Sequence, residues 1–152
     1  MKIYNIKNKL EYIQEVAILT QEEWGNNNLT KKEYEEKIQK KVQKIKRSLE
    51  NPSYCKLVLL DENTLIGFIS LFPHDGEEEL ELTPWYATMY VKKEYRGKGY
   101  SKILNDAILE EARNRGFKRV YLKTELENYY EKFGAKYIKM LENGEKLYCI
   151  EL

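Results

Sequence analysis

The apolar positions of the chain change period as it is read from its start. Residues 2–6 alternate and predict a short strand. From Leu10, apolar residues recur at Ile13, Ala17 and Trp24, the repeat of one helix face, and Gly25-Asn26-Asn27-Asn28 stops it. Thr30-Lys31-Lys32-Glu33 has the spacing of a capping box, in which hydroxyl and carboxylate each receive a backbone N–H. The helix it opens puts Tyr34, Ile38, Val42, Ile45 and Leu49 on one side and ends before Asn51-Pro52.

Beyond Pro52 the period becomes that of strands. Tyr54–Leu60 and Thr64–Phe72 flank Asp61-Glu62-Asn63 and predict a hairpin. A polar loop runs from Pro73 to Glu79, and Leu82–Val91 predicts another strand. A helix is expected from Gly99 to Arg115, with Tyr100, Ile103, Leu104, Ala107, Ile108 and Ala112 as its apolar face. Arg119–Thr124 predicts a strand, and Leu126–Phe133 a short helix closed by Gly134. Lys136–Leu141 and Glu145–Leu152 predict a hairpin around Asn143-Gly144, a type I′ signal. No repeat or linker interrupts this order, so one mixed α/β domain spanning residues 1–152 is expected, built on a central sheet.

Composition narrows the function classes. Lys and Arg number 26 against 25 Asp and Glu, so no global field draws nucleic acid or an anionic membrane. Eight basic residues lie between Lys31 and Arg47, but glutamates are interspersed, which reads as a solvated helix face. Cys55 and Cys149 are far apart and lie in strand-like stretches, as buried reduced thiols would. With His74 the single histidine, a Cys/His metal site is not expected. No apolar run is long enough to span a bilayer, and residues 1–6 lack a signal-peptide core, so a cytoplasmic location is expected.

The densest chemistry lies at Arg96-Gly97-Lys98-Gly99-Tyr100-Ser101, between a strand ending at Tyr90-Val91 and a helix start. A helix start offers unpaired N–H donors and the positive end of its dipole; flanking basic side chains add charge. The ligand this chemistry suits is a phosphate or pyrophosphate. The turn does not match G-x-x-x-x-G-K-[ST], and a dinucleotide fingerprint would need glycine where Lys102 stands.

Arg96 to Ser101 resembles the acetyl-CoA signature Q/R-x-x-G-x-G/A of the GNAT superfamily of N-acetyltransferases, and it follows a strand, Met89-Tyr90-Val91, as in that family. Tyr129-Tyr130-Glu131-Lys132-Phe133-Gly134-Ala135 is similar to the family's second signature, L-Y-E-K-L-G-F. Element order agrees too, so the resemblance covers nearly the whole chain. Thr83-Pro84-Trp85 resembles a bacterial subgroup of small members. Ser101 stands where Gly or Ala is usual, and Ala135 replaces an aromatic residue. The asparagine often found after the next strand has no counterpart at Thr124; Asn128 follows and is taken as a candidate cofactor contact.

The resemblance implies a central, mostly antiparallel sheet with helices on both faces, splayed between the signature strand and the next, parallel strand. It implies that acetyl-CoA is the co-substrate, without a metal. The pantetheine arm would lie along Met89, Tyr90 and Val91, and the pyrophosphate on Arg96, Gly97, Lys98, Gly99, Tyr100 and Ser101. A backbone N–H near Met89 or Tyr90 would face the oxyanion, and Tyr130 would be the acid for the departing thiolate. Tyr129 is read as packing.

For the base, Glu81 is the first choice and His74 the second. If the chain is extended there, Glu77, Glu79 and Glu81 share one face that would attract a cationic amine. The expected reaction is direct acetyl transfer to a primary amine of a small molecule or peptide, by a monomer or homodimer. Transfer from another acyl-CoA, or a non-catalytic CoA-binding module, are the competing readings.

Overall fold

The computed structural model describes residues 1–152. The strands are β1 (Lys2–Asn5), β2 (Cys55–Asp61), β3 (Thr64–Phe72), β4 (Trp85–Val91), β5 (Arg119–Thr124), β6 (Lys136–Met140) and β7 (Lys146–Glu151). The helices are α1 (Ile13–Trp24), α2 (Lys31–Ser48) and α3 (Tyr100–Asn114). The strands form one seven-stranded sheet in the order β1-β2-β3-β4-β5-β7-β6. Every pairing is antiparallel except β4 with β5. No helix is long and apolar enough to cross a membrane.

Strand alternation splits the core in two. Leu57, Leu59, Ile69 and Leu71 face α3, whose Leu104, Ile108 and Ala112 cover them. Val58, Leu60 and Phe68 face the other way, under Val16 and Ala17 of α1 and Ile38, Val42 and Ile45 of α2. The capping box of α2 is formed: the Glu33 N–H donates to Thr30 Oγ1 at 3.1 Å, and the Thr30 N–H donates back to the Glu33 carboxylate. The basic residues of α2 occupy its outer face.

Local expectations differ from the structure in four places. Leu10 and Trp24 are about half exposed, and Val16 and Gln21 complete the buried side of α1 instead. The strand before the signature turn begins at Trp85, because Pro84 offers no N–H to a ladder. The helix expected from Leu126 is only a 3-10 turn, Tyr130–Phe133. In the last hairpin only Gly144 has positive φ, at 90°, and its N–H donates to Leu141 O. The turn is therefore type I followed by a left-handed glycine, not type I′, which needs two positive φ values.

The decisive irregularity lies in β4. Phe68 pairs with Tyr90 and Ser70 with Ala87, so Thr88 and Met89 together oppose Ile69 alone. This is a β-bulge, and Thr88 takes φ 49° within it. Only Trp85↔Tyr121 joins β4 to β5. Beyond that pair the two strands part, which leaves one edge of β4 unpartnered next to α3.

Candidate active site

A cleft of about 680 Å³ opens beside the C-terminal end of β4, toward the start of α3. One wall is Met89, Tyr90 and Val91; the far end is Arg96, Gly97, Gly99, Tyr100 and Ser101; Tyr129 and Tyr130 close the side. Residues about thirty positions apart in the chain therefore meet because α3 returns the polypeptide across the sheet. Gly67 permits that crossing. A Cβ there would come 2.4 Å from Tyr90 O and 3.1 Å from a Leu104 methyl.

At the phosphate end, Gly97 and Gly99 have φ of 78° and 85°, values that only glycine adopts without strain. A Cβ at either would meet nothing within 4 Å, so backbone conformation rather than crowding demands these glycines. Gly99 caps α3 without a side-chain bond, and no acidic residue sits in the first turn. Its leading N–H groups are thus left for an anion, and these residues fit a pyrophosphate. Arg96 is held in place: its Nε donates to Val91 O at 2.7 Å and its guanidinium lies over the Tyr90 ring. Lys102 lines the cleft but is paired with Asp106 at 2.6 Å. Lys98 leans over Tyr95 and does not line the cleft.

Tyr130 stands edge-on to Tyr86 and Tyr129, at 5.9 and 4.8 Å between centroids. Burial, then the neighbouring Tyr129, pushes its phenol up to about 12. It therefore keeps its proton throughout the neutral range. Tyr129 was expected to pack only; it also lines the cleft.

A second cavity, of about 650 Å³, opens on the other side of Tyr130. Met89, Tyr130, Glu23 and Leu126 line both cavities, so the two join at the β4 bulge. The second cavity carries four carboxylates, Glu23, Asp75, Glu125 and Glu145, against one ammonium, Lys123. Lys123 Nζ donates to the Asp75 carbonyl at 2.5 Å. Burial raises the Asp75 carboxyl above the usual range and Glu145 adds to this, while Lys123 and Lys44 oppose it. None of the four carboxylates was singled out from the chain, since they come from α1, two loops and the start of a hairpin.

Besides Lys98, three expected site residues lie elsewhere. Glu81 is not in either cavity; with Glu79, Arg119 and Lys139 it lines a separate hollow of about 520 Å³ against β5, β6 and β7. Residues 77–81 are not extended. Glu79 has φ 52°, the Leu82 N–H donates to Glu79 O, and the Lys139 ammonium draws the Glu79 carboxylate to 2.6 Å. That hydrogen bond, with a contact from Glu81, holds Glu79 below the usual carboxylate range. Glu77, Glu79 and Glu81 thus form no extended-strand face, and none of them lines the cleft or the adjoining cavity. His74 is exposed and lines none of these cavities. Asn128 is exposed with φ 56° and does not reach the cleft. Cys55 and Cys149 are buried and free. No cluster of three or more His, Cys, Asp and Glu is arranged to hold a metal ion.

A model of the acetyltransferase (GNAT) family matches residues 13–135. A probable spermine N(1)-acetyltransferase of Bacillus subtilis subsp. natto is 32% identical over 108 residues, covering 65% of this chain and 71% of that protein. N-alpha-acetyltransferase 30 of Schizosaccharomyces pombe is 33% identical over 82 residues, 51% of this chain and 54% of that protein, so the chain spans about half of it. Among solved structures, yncA of Salmonella typhimurium, a putative acetyltransferase with its cofactor acetyl-CoA, superposes with TM-score 0.73 at 16% identity, covering 99% of this chain and 93% of that one.

Proposed function

The chain belongs to the GNAT acetyltransferase family and is an acyltransferase, and from that premise we propose that it transfers acetyl from acetyl-CoA directly to a primary amine of a cationic small molecule. One observation carries this reading. The cleft that fits the co-substrate and the carboxylate-lined cavity meet at Met89 and Tyr130.

Acetyl-CoA supplies an activated acyl group as a thioester. The turn Arg96–Ser101 receives its pyrophosphate on backbone N–H groups and the dipole end of α3. The free edge of β4 at Met89–Val91 offers backbone pairing to the amide arm. A backbone N–H at the bulge, near Met89 or Tyr90, faces the developing oxyanion. Tyr130 donates its phenolic proton toward the leaving sulfur, which its raised pKa permits across the working range. Glu23, Asp75, Glu125 and Glu145 concentrate and orient the cation. Holding both reactants in one geometry contributes up to about 7–11 kcal/mol. The similarity to a probable spermine acetyltransferase supports a polyamine among such acceptors.

The test is thiol release from acetyl-CoA over a panel of spermine, spermidine, an aminoglycoside, lysine and a peptide N-terminus. Polyamines are expected to react fastest. Absence of any melting shift at millimolar acetyl-CoA would sink the co-substrate assignment. A peptide as the single reactive acceptor would overturn the small cationic acceptor.

A further inference from the structure

Behind the bulge lies a group that the acetyl-transfer reading does not use. Lys56 interrupts the apolar run Cys55–Leu60, yet it is 3% exposed. Its chain points to the α1 and α2 side of the sheet, and its Nζ lies 5.4 and 5.3 Å from the centroids of Phe68 and Phe72. Lys56 pairs with Ser70 across β2 and β3, and its Nζ is 2.5 Å from Ser70 Oγ. Ser70 is fully buried, and Thr88 Oγ1 is 2.6 Å from the same Ser70 oxygen. Thr88 is the bulge residue at φ 49°, a conformation costly for a β-branched side chain. That backbone kink is what aims its hydroxyl at Ser70. Thr88 lines the carboxylate-bearing cavity beside Met89, whereas Lys56 and Ser70 line neither that cavity nor the cleft.

We propose that Lys56, Ser70 and Thr88 form a proton relay that carries the proton of the acceptor's ammonium away from the cavity before attack. This rests on the acetyl-transfer reading. The ammonium N–H donates to Thr88 Oγ1, Thr88 passes its hydroxyl proton to Ser70 Oγ, and Ser70 passes its own to the free amine of Lys56. The sum is R–NH₃⁺ plus Lys–NH₂ giving R–NH₂ plus Lys–NH₃⁺, with no other reactant. The nitrogen lone pair then forms the C–N bond as the C–S bond breaks. Tyr130 gives its proton to the departing sulfur and takes the second nitrogen proton in its place, and Lys56 later returns its proton along the same hydroxyls to water in the carboxylate-bearing cavity. Lys56 touches no substrate; it acts through two hydroxyls, as a positioning residue and proton reservoir.

The surroundings suit this role. The Lys56 ammonium is lowered to about 7, chiefly by burial and in part by Lys41 and Lys44 of α2, with only the Cys55 thiol opposing them. No carboxylate is among these neighbours, so nothing pins the charge. An unpaired buried ammonium is costly and sheds its proton instead. Glu23, by contrast, is exposed where the two cavities join, suited to attracting a cation rather than to a screened proton path.

Two measurements decide it. The first is the ¹³Cε titration of Lys56 in lysine-labelled protein, assigned by its loss in Lys56→Met, with a midpoint near 7 expected. The second is the pH profile of acetyl transfer from acetyl-CoA to spermine. Its rising limb, near neutrality in the native chain, should vanish in Lys56→Met, Ser70→Ala and Thr88→Val. Turnover at pH 7 should drop about 100-fold, with the melting shift on acetyl-CoA retained. A midpoint above about 9, an unchanged limb in Lys56→Met, or loss of the limb in Glu23→Gln instead would each overturn the relay. A chain that acetylates no amine defeats the transfer reading, but the titration needs neither co-substrate nor acceptor and still decides the state of Lys56.

Discussion

The two ends of the joined cavity are made of different material. At the end proposed for phosphate the candidate groups fall within six consecutive residues, Arg96–Ser101, of which all but Lys98 line the cleft, and they are mainly backbone N–H groups at the start of α3. At the acceptor end the polar groups are side chains brought from α1, the loop after β3, the chain beyond β5 and the turn before β7. A backbone site depends on conformation, so few sequences can encode it, and its pattern is recognisable. A side-chain site depends on where distant elements end, so nearly any spacing can encode it.

That contrast predicts descending effects. Gly99→Glu should be the most damaging, since it forces φ 85° on a side chain and places a negative charge over the α3 N-terminus. The melting shift on acetyl-CoA should disappear, and a retained shift would disprove the backbone site. Tyr130→Phe should lower kcat about 100-fold with little change in acetyl-CoA affinity. Because burial pushes the Tyr130 phenol up to about 12, this loss should be the same from pH 6 to 9.

Asp75→Asn and Glu125→Gln should each raise KM for a cationic amine about 10-fold and leave acetyl-CoA binding alone, with the effect shrinking as salt rises. Asp75 protonates at higher pH than an ordinary aspartate, so its contribution should fade as the medium is acidified. Lys102→Ala should do least, weakening acetyl-CoA less than about threefold, because Lys102 is an exposed partner of Asp106. A large loss there would mean that side-chain charge, not the helix start, holds the phosphates.

The same division explains how far the chain could be read. Strand limits at Thr64–Phe72 and Arg119–Thr124, the capping box at Thr30 and the left-handed turn at Gly97 and Gly99 were all legible, because each obeys a short-range rule. Tyr130 was legible through its signature, and the structure brings it to the cleft beside Met89. Glu81 was misplaced because alternation assumes an extended chain, and a long-range ion pair with Lys139 turned Glu79 and its neighbours away. Lys56 carried a faint signal, a lysine inside an apolar strand, but its meaning depends on Ser70 and Thr88 across two neighbouring strands.

By itself, then, the sequence determined most of the elements, their order and the glycine turn before α3, since periodicity, caps and glycine conformation act within a few residues. Only the tertiary structure decided which carboxylates line the cavity beside the cleft, where β4 and β5 part, and that a buried lysine reaches that cavity through two hydroxyls. Those outcomes depend on one bulge at Thr88 and on side chains far apart in the chain, and no local rule constrains either.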